Sequence, residues 1–373
     1  MKSHFYFLKL DLLFSDYKFA CLCFITAFVV TLIAIPPIIS LIRRFKLYDV
    51  PNARKEHTLP IPTMGGIAVV AGLMTSLLLW FPFTASVAQV SFFFSIIVLF
   101  ALGIMDDLKD LSAKYKFLVQ FSLAILIALS GIRITSLDGL LGIYDLPLSA
   151  QYSFTILAIV GITNAFNLID GIDGLAGGIG FMSLVSLGIF LTMNGDVNTA
   201  LIAFALAGGI LAFLYFNLNP ARIFMGDTGS LVLGFVVAVL SIRLMQVNVQ
   251  VADPVLPHAS IYVLSIVLIP VFDTLRVFAI RIWKGKSPFV ADKTHIHHLL
   301  TNQGYTHGFA AKIICFIHGI ILMEVHWLQY MRQEWAILIL AAFILLVSWG
   351  LKHFSSLLPS AGKTKAVRIK TEG

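Results

Sequence analysis

Asn164-Ala165-Phe166-Asn167-Leu168-Ile169-Asp170-Gly171-Ile172-Asp173-Gly174 puts two amides and two carboxylates at the end of a run that otherwise reads as membrane helix. The polar positions recur every three residues, which keeps them on roughly one helical face. An acidic side chain in hydrocarbon costs roughly a few kcal/mol or more, so several held together there point to use. A short polar turn between two helices is the plain alternative, but it does not explain amides that reach into membrane depth.

The chain around this stretch decides the class. Of 373 residues, 59% are hydrophobic and 12% charged, against roughly 25% charged in soluble domains. The fold class is therefore all-α, a polytopic integral membrane protein. Apolar runs of spanning length lie near 19–42, 67–84, 87–105, 117–135, 152–169, 175–193, 199–217, 231–247, 261–280, 309–329 and 335–351, which predicts about eleven transmembrane helices. Residues 1–18 form an amphipathic lead, 19–351 a single transmembrane domain, and 352–373 a short basic tail suited to the anionic inner leaflet. The run at 19–42 is expected to be a retained helix rather than a cleaved signal. Cys21, Cys23 and Cys315 sit in apolar segments without metal-ligand spacing and read as small hydrophobes.

Charge sets the orientation. Eighteen of the 26 Lys and Arg fall in loops on one side of the predicted helices and six on the other. The rich side is cytoplasmic, which puts the N-terminus outside and the C-terminus inside. The net charge of +7 is thereby explained without nucleic acid, which is not an expected partner. Asp106, Asp107, Asp110, Asp170, Asp173, Asp227 and Asp292 share the cytoplasmic side, whereas Asp138, Asp145, Asp196 and Asp253 are scattered outside. Carboxylates crowded on a basic face are what binding Mg²⁺ together with a polyphosphate requires.

Three further constellations lie on that face. Asp106-Asp107, near Lys109, Lys114 and Lys116, closes one apolar run. Two acids at a helix C-terminus oppose its dipole, so an ordinary helix end explains them poorly. In Phe224-Met225-Gly226-Asp227-Thr228-Gly229-Ser230, Asp227 with Thr228 and Ser230 is expected to cap the next helix, whose start also attracts phosphate. Phe224 is suited to stack on a base. His295-Ile296-His297-His298 stands among Arg281, Lys284, Lys286 and Lys293 with no Cys or Glu at zinc spacing. Such a loop fits phosphate better than zinc, although anionic lipid headgroups would also suit it. His57, His318 and His326 lack such neighbours and read as structural or interfacial.

These motifs, with Met64-Gly65-Gly66 ahead of the second run, occur in order over nearly the whole chain. The set resembles the polyprenyl-phosphate N-acetylhexosamine-1-phosphate transferases. It is most similar to the bacterial undecaprenyl-phosphate N-acetylglucosamine-1-phosphate branch, because the histidines read His-x-His-His rather than three in succession. The resemblance implies transfer of a sugar-1-phosphate from a UDP-sugar, UDP-N-acetylglucosamine foremost, to undecaprenyl phosphate at the cytoplasmic leaflet of the bacterial inner membrane. UMP leaves, and the lipid product starts an envelope glycan. Another UDP-N-acetylhexosamine or UDP-MurNAc-pentapeptide is the alternative donor. It implies Mg²⁺ (or Mn²⁺) as cofactor, bound by Asp227 and Asp173. Asp106, Asp107, Asp170 and Asp173 become catalytic, and Asn164, Asn167, Lys116, Phe224, His295, His297 and His298 bind substrate. Membrane lipids and a second copy, as a homodimer, complete the expected partners. An organic-anion transporter would place its acids near the midplane, and a lipid-binding scaffold leaves the Asn/Asp stretch unexplained.

Overall fold

The computed structural model describes residues 2–45, 48–49, 61–218, 220–251, 254–285, 287 and 295–353. In chain order the elements are α1 (Lys2–Phe45), β1 (Tyr48–Asp49), β2 (Ile61–Pro62), α2 (Gly66–Trp80), α3 (Val87–Lys109), α4 (Ala113–Leu129), β3 (Ser136–Leu140), β4 (Ile143–Asp145), α5 (Leu148–Ile169), α6 (Leu175–Met193), α7 (Val197–Asn217), α8 (Asp227–Gln250), α9 (Ala259–Trp283), α10 (Ile296–Thr301), α11 (His307–Leu328) and α12 (Gln333–Lys352). Apart from two antiparallel ribbons, β1–β2 and β3–β4, the fold is all-α.

Every predicted apolar run is built mainly of one helix, but not all of these helices reach full spanning length. Among the described residues nine helices are long and apolar enough to cross a membrane. The runs at 67–84 and 117–135 become the shorter α2, of 15 residues, and α4, of 17. Pro82 accounts for the first: the preceding Phe81 is extended (φ −87°, ψ 129°), as a residue before proline prefers. The second stops before Gly131, whose φ of +102° leaves the helical region. The basic tail beyond His353, together with His57, Asp253, Lys286, Asp292 and Lys293, lies outside the described residues.

Helix α8 is the axis of the bundle. Its central apolar window is 89% buried, against 22% for α1 and α12, and α3, α5, α6 and α9 pack around it. A helix apolar on all sides belongs in such a position. The crossings at its N-terminal end depend on glycine. A Cβ on Gly66 of α2 would lie 2.2 Å from Gly229 N, and one on Gly103 of α3 would lie 2.4 Å from Thr228 Cα. Small residues let helix backbones touch, which is the usual basis of helix association in lipid. Backbone contact here brings the ends of α2 and α3 against the first turn of α8.

Candidate active site

The first turn of α8 is placed from outside itself. The loop leading to it pairs with the segment before α2: Phe224 N donates to Pro62 O (2.8 Å), Gly65 N to Phe224 O (2.8 Å) and Gly66 N to Met225 O (2.9 Å). Met64-Gly65-Gly66 thus acts as the seat of the Phe224–Asp227 loop, and the half-buried Phe224 is held by its backbone. Gly226, at φ +72°, then turns the chain into the helix.

Asp227 was expected to cap this helix, and the structure gives that task to Asp107. From α3, Asp107 Oδ1 accepts from Asp227 N (2.8 Å) and Oδ2 accepts from Thr228 N (3.1 Å) and Thr228 Oγ1. A capping carboxylate satisfies amides that the helix leaves open. Gly226 makes room for it, since a Cβ there would stand 2.5 Å from Asp107 Oδ2. The consequence is chemical: with the cap supplied in trans, the carboxylate of Asp227 faces other groups.

Those groups come from three neighbouring elements. Lys116 Nζ of α4 donates to Asp106 Oδ2 (2.9 Å) and Asp227 Oδ2 (3.0 Å). Asn167 Nδ2 of α5 donates to Asp227 Oδ1 and Ser230 Oγ, both at 2.9 Å. Asp106, 9% exposed, also accepts from Leu111 N (2.8 Å), which fixes the turn between α3 and α4. The two adjacent aspartates therefore do different things: Asp106 holds the lysine, and Asp107 holds the helix.

The Asp170–Gly174 turn closes one flank. Burial, then the negative charges of Asp227, Asp107 and Asp173, raise the Asp170 carboxyl well above the usual carboxylate range. Asp173 is almost fully buried and its Oδ2 accepts from Ala221 N at 3.1 Å. Asn217 staples the same two segments, accepting from Gly174 N (2.8 Å) and donating to Ile223 O (2.9 Å). Asp173, expected among the catalytic and metal-binding residues, thus braces the loop before α8. Asn164 bonds elsewhere than the carboxylate cluster: its Nδ2 donates to Gln120 Oε1 of α4 and to Val160 O.

The histidines complete the other flank. A Cβ on Gly171 would stand 3.0 Å from His297 Cε1, so the glycine permits the imidazole to lie against the acidic turn. His297 stacks parallel to His295 at 5.9 Å between ring centroids and lies 4.2 Å from His298. Burial and the charges of His298 and His295 push its imidazole down to about 3, so His297 is neutral at pH 7. His295 Nδ1 bonds Asp273 Oδ2 of α9 at 2.9 Å. His318, expected to be structural, is fully buried with Nε2 3.2 Å from Ser183 Oγ.

Sequence reasoning missed Asp273, Gln120 and Asn217. Asp273 had a usable signal, as an acid inside the apolar run 261–280. Gln120 and Asn217 had only their polarity within apolar runs.

Among the described residues no group of three or more His, Cys, Asp or Glu side chains is arranged to hold a metal ion alone. The donor set still fits Mg²⁺. Asp170 and Asp227 are oxygen donors close enough for like-charge repulsion to act between them, and Mg²⁺ commonly takes one or two carboxylates plus substrate phosphates.

The arrangement has counterparts. Residues 89–245 match the family model of Glycosyl transferase family 4. The chain is 34% identical over 299 residues, 79% of its length and 81% of the relative's, to a probable undecaprenyl-phosphate N-acetylglucosaminyl 1-phosphate transferase of Bacillus subtilis. Undecaprenyl-phosphate alpha-N-acetylglucosaminyl 1-phosphate transferases of Salmonella typhimurium (33% over 306 residues; 79% of this chain, 80% of the relative) and Escherichia coli K12 (30% over 312; 80% and 81%) are similar over the same extent. With the five motifs gathered at one end of the bundle and this coverage, the chain belongs to the undecaprenyl-phosphate N-acetylglucosaminyl 1-phosphate transferase family.

Proposed function

We propose that the protein transfers N-acetylglucosamine-1-phosphate from UDP-N-acetylglucosamine to undecaprenyl phosphate, releasing UMP. The coarser activity, polyprenyl-phosphate sugar-1-phosphate transfer in envelope biogenesis by a multi-pass bacterial inner-membrane protein, follows from family membership. The sugar rests on the His295-x-His297-His298 pattern and on the names of the relatives. The observation that carries the reaction is Asp227, freed by the Asp107 cap and shared between Lys116 and Asn167 at the start of a buried helix.

A phosphate monoester, with its second pKa near 6, is mostly dianionic at pH 7. An oxygen of the lipid phosphate attacks the sugar-linked phosphorus, the new P–O–P bond forms, and the bond to the UMP oxygen breaks. The protein aligns two anions and offsets charge that moves to the leaving group. Lys116 is the cation for this, and Asp106 positions it. Asp107 positions Asp227 through the backbone of α8. Asp227 and Asp170 would hold Mg²⁺, or Mn²⁺, with the pyrophosphate; we choose Asp170 over Asp173 because Asp173 is engaged with Ala221. The ion, when bound, supplies charge neutralisation on the departing phosphate. Phe224 faces the uracil, His297 and His298 contact phosphate, His297 as a neutral donor, and His295 contacts the nucleotide-sugar. Asn164, one turn from Asn167 on α5, ties that helix to Gln120 of α4.

The same reading has eleven membrane crossings, α2 and α4 included, the N-terminus outside, the site at the cytoplasmic leaflet and a homodimer. Protein purified in detergent tests the reaction with undecaprenyl phosphate and radiolabelled UDP-N-acetylglucosamine, with Mg²⁺ or EDTA. Label in the lipid phase only with Mg²⁺ and acceptor, with equal UMP, is the expected result. Label from UDP-N-acetylgalactosamine or UDP-MurNAc-pentapeptide instead would overturn the sugar. Labelled lipid in EDTA would overturn the metal.

A further inference from the structure

Asp273 lies in α9, 1% exposed, and the transfer scheme above leaves it without a task. Both its oxygens are engaged. Oδ2 takes His295 Nδ1 at 2.9 Å, and Oδ1 takes Ile296 N at 2.8 Å and Arg276 Nη2 at 2.9 Å. A buried carboxylate without opposite charge or donors would be costly, and this one has both. Its partners at 295 and 296 are the first residues of the histidine segment. Helix α10 has only six residues and packs on α11 and α12. Asp273 therefore fastens the start of that segment to α9, a long helix packed on α5 and α8.

We infer that Asp273 is a positioning residue: it fixes the ring and tautomer of His295 so that Nε2 is presented as an acceptor to a hydroxyl or N–H of the nucleotide-sugar. This rests on the transferase reading given above. An ionised carboxylate only accepts, so Nδ1 carries a proton toward Asp273, and Nε2 is left for a ligand. The parallel stack then carries the order onward, because His297 lies on His295 and against Gly171. One carboxylate on α9 thereby sets the distance between the histidines and the Asp170–Gly174 turn.

The plain alternative is a helix cap, in which Asp273 serves Ile296 N and His295 is incidental. Asp273→Asn separates the two, because Asn caps a helix about as well as Asp. It keeps an oxygen for Ile296 N but loses the charge and the second acceptor facing His295. Positioning predicts a fall in kcat/KM of between about ten- and a hundredfold. It also predicts that Asp273→Asn/His295→Gln is no worse than His295→Gln alone, since both remove one unit. Losses that multiply, or an Asp273→Asn protein with wild-type kinetics, would overturn the proposal.

A second readout does not need turnover. Protein labelled with ¹⁵N-histidine, in detergent, is compared by long-range ¹H–¹⁵N spectra, with His295→Gln assigning the resonance. Wild type should show Nδ1 protonated, and Asp273→Asn should shift the proton toward Nε2. An unchanged His295 signature overturns the proposal even if activity falls through misfolding. If wild type transfers no sugar phosphate from any donor, the reaction fails. The spectra still decide whether Asp273 sets His295.

Discussion

The two ends of α8 handle charge in opposite ways. At the end that begins with Asp227, carboxylates face carboxylates: Asp170 feels Asp227, Asp107 and Asp173, while Lys116 is shared between Asp106 and Asp227. Sixteen residues on, about 24 Å along the helix at 1.5 Å per residue, Arg243 Nε meets Asp196 Oδ2 at 2.6 Å. There one cation answers one anion, and Asp196 also accepts from Thr199 N (3.3 Å) at the start of α7. Nearby loops follow the same habit, with Asp138 Oδ2 accepting from Ser260 N at 3.0 Å. Matched charges and capped helices are what stability alone selects. An excess of like charge is unfavourable for the protein by itself and becomes favourable when a cation or a cationic complex arrives. The difference separates a site from a joint.

Asp227→Asn should produce the largest effect, a loss of transfer of about a hundredfold or more. Thermal stability should stay near wild type, because the relief of repulsion at Asp170 is offset by weaker contacts to Lys116 and Asn167. Retention of more than a tenth of the rate, measured by lipid-phase label, would erase the distinction between the two ends. Next comes Gly66→Ala, whose Cβ would meet the Gly229 backbone at 2.2 Å. Overpacking of this kind costs about 1–3 kcal/mol. It should lower both melting temperature and rate, because the contact seats the turn that carries Asp227. A stable protein with normal turnover would show that the crossing does not place the site. At the far end Asp196→Asn should lower the melting temperature by a few degrees, about 1 kcal/mol, and leave kcat/KM within twofold of wild type. A tenfold kinetic loss there would make that end functional. Asp138→Asn is expected to leave the rate unchanged, and a large loss would place Asp138 at the working face.

Much of this was legible in the residues themselves. Hydrophobic runs located every helix of the bundle core, and the Lys and Arg bias grouped the motifs on one side before any contact was known. The stretch Asn164–Gly174 carried its own signal, because polar groups at spacing three in an apolar run have few structural uses. The shortening of α2 had its cause in Pro82. Other features were hidden for a physical reason. Asp107 caps α8 across a separation of 120 residues, and no local pattern announces a cap supplied in trans. Asp227 at a helix start looks like its own cap until the partner is seen. Asn164 and Asn167 share a helical face, yet one meets Gln120 and the other Asp227.

The sequence by itself determined the class, the order of the apolar helices, and the residue types at one end of the bundle. Hydropathy and charge act along the chain, and a membrane allows little else but helices. Tertiary structure alone decided the partners: Asp106 to the lysine, Asp107 to the helix, Asp173 to the loop, Asp273 to the histidine. Those choices depend on how closely backbones approach where Gly66 and Gly103 meet the first turn of α8. A shift of an ångström or two at such a crossing changes which oxygen reaches which donor. Hydrogen bonds weaken steeply with distance and angle, so packing had to be known before chemistry could be assigned.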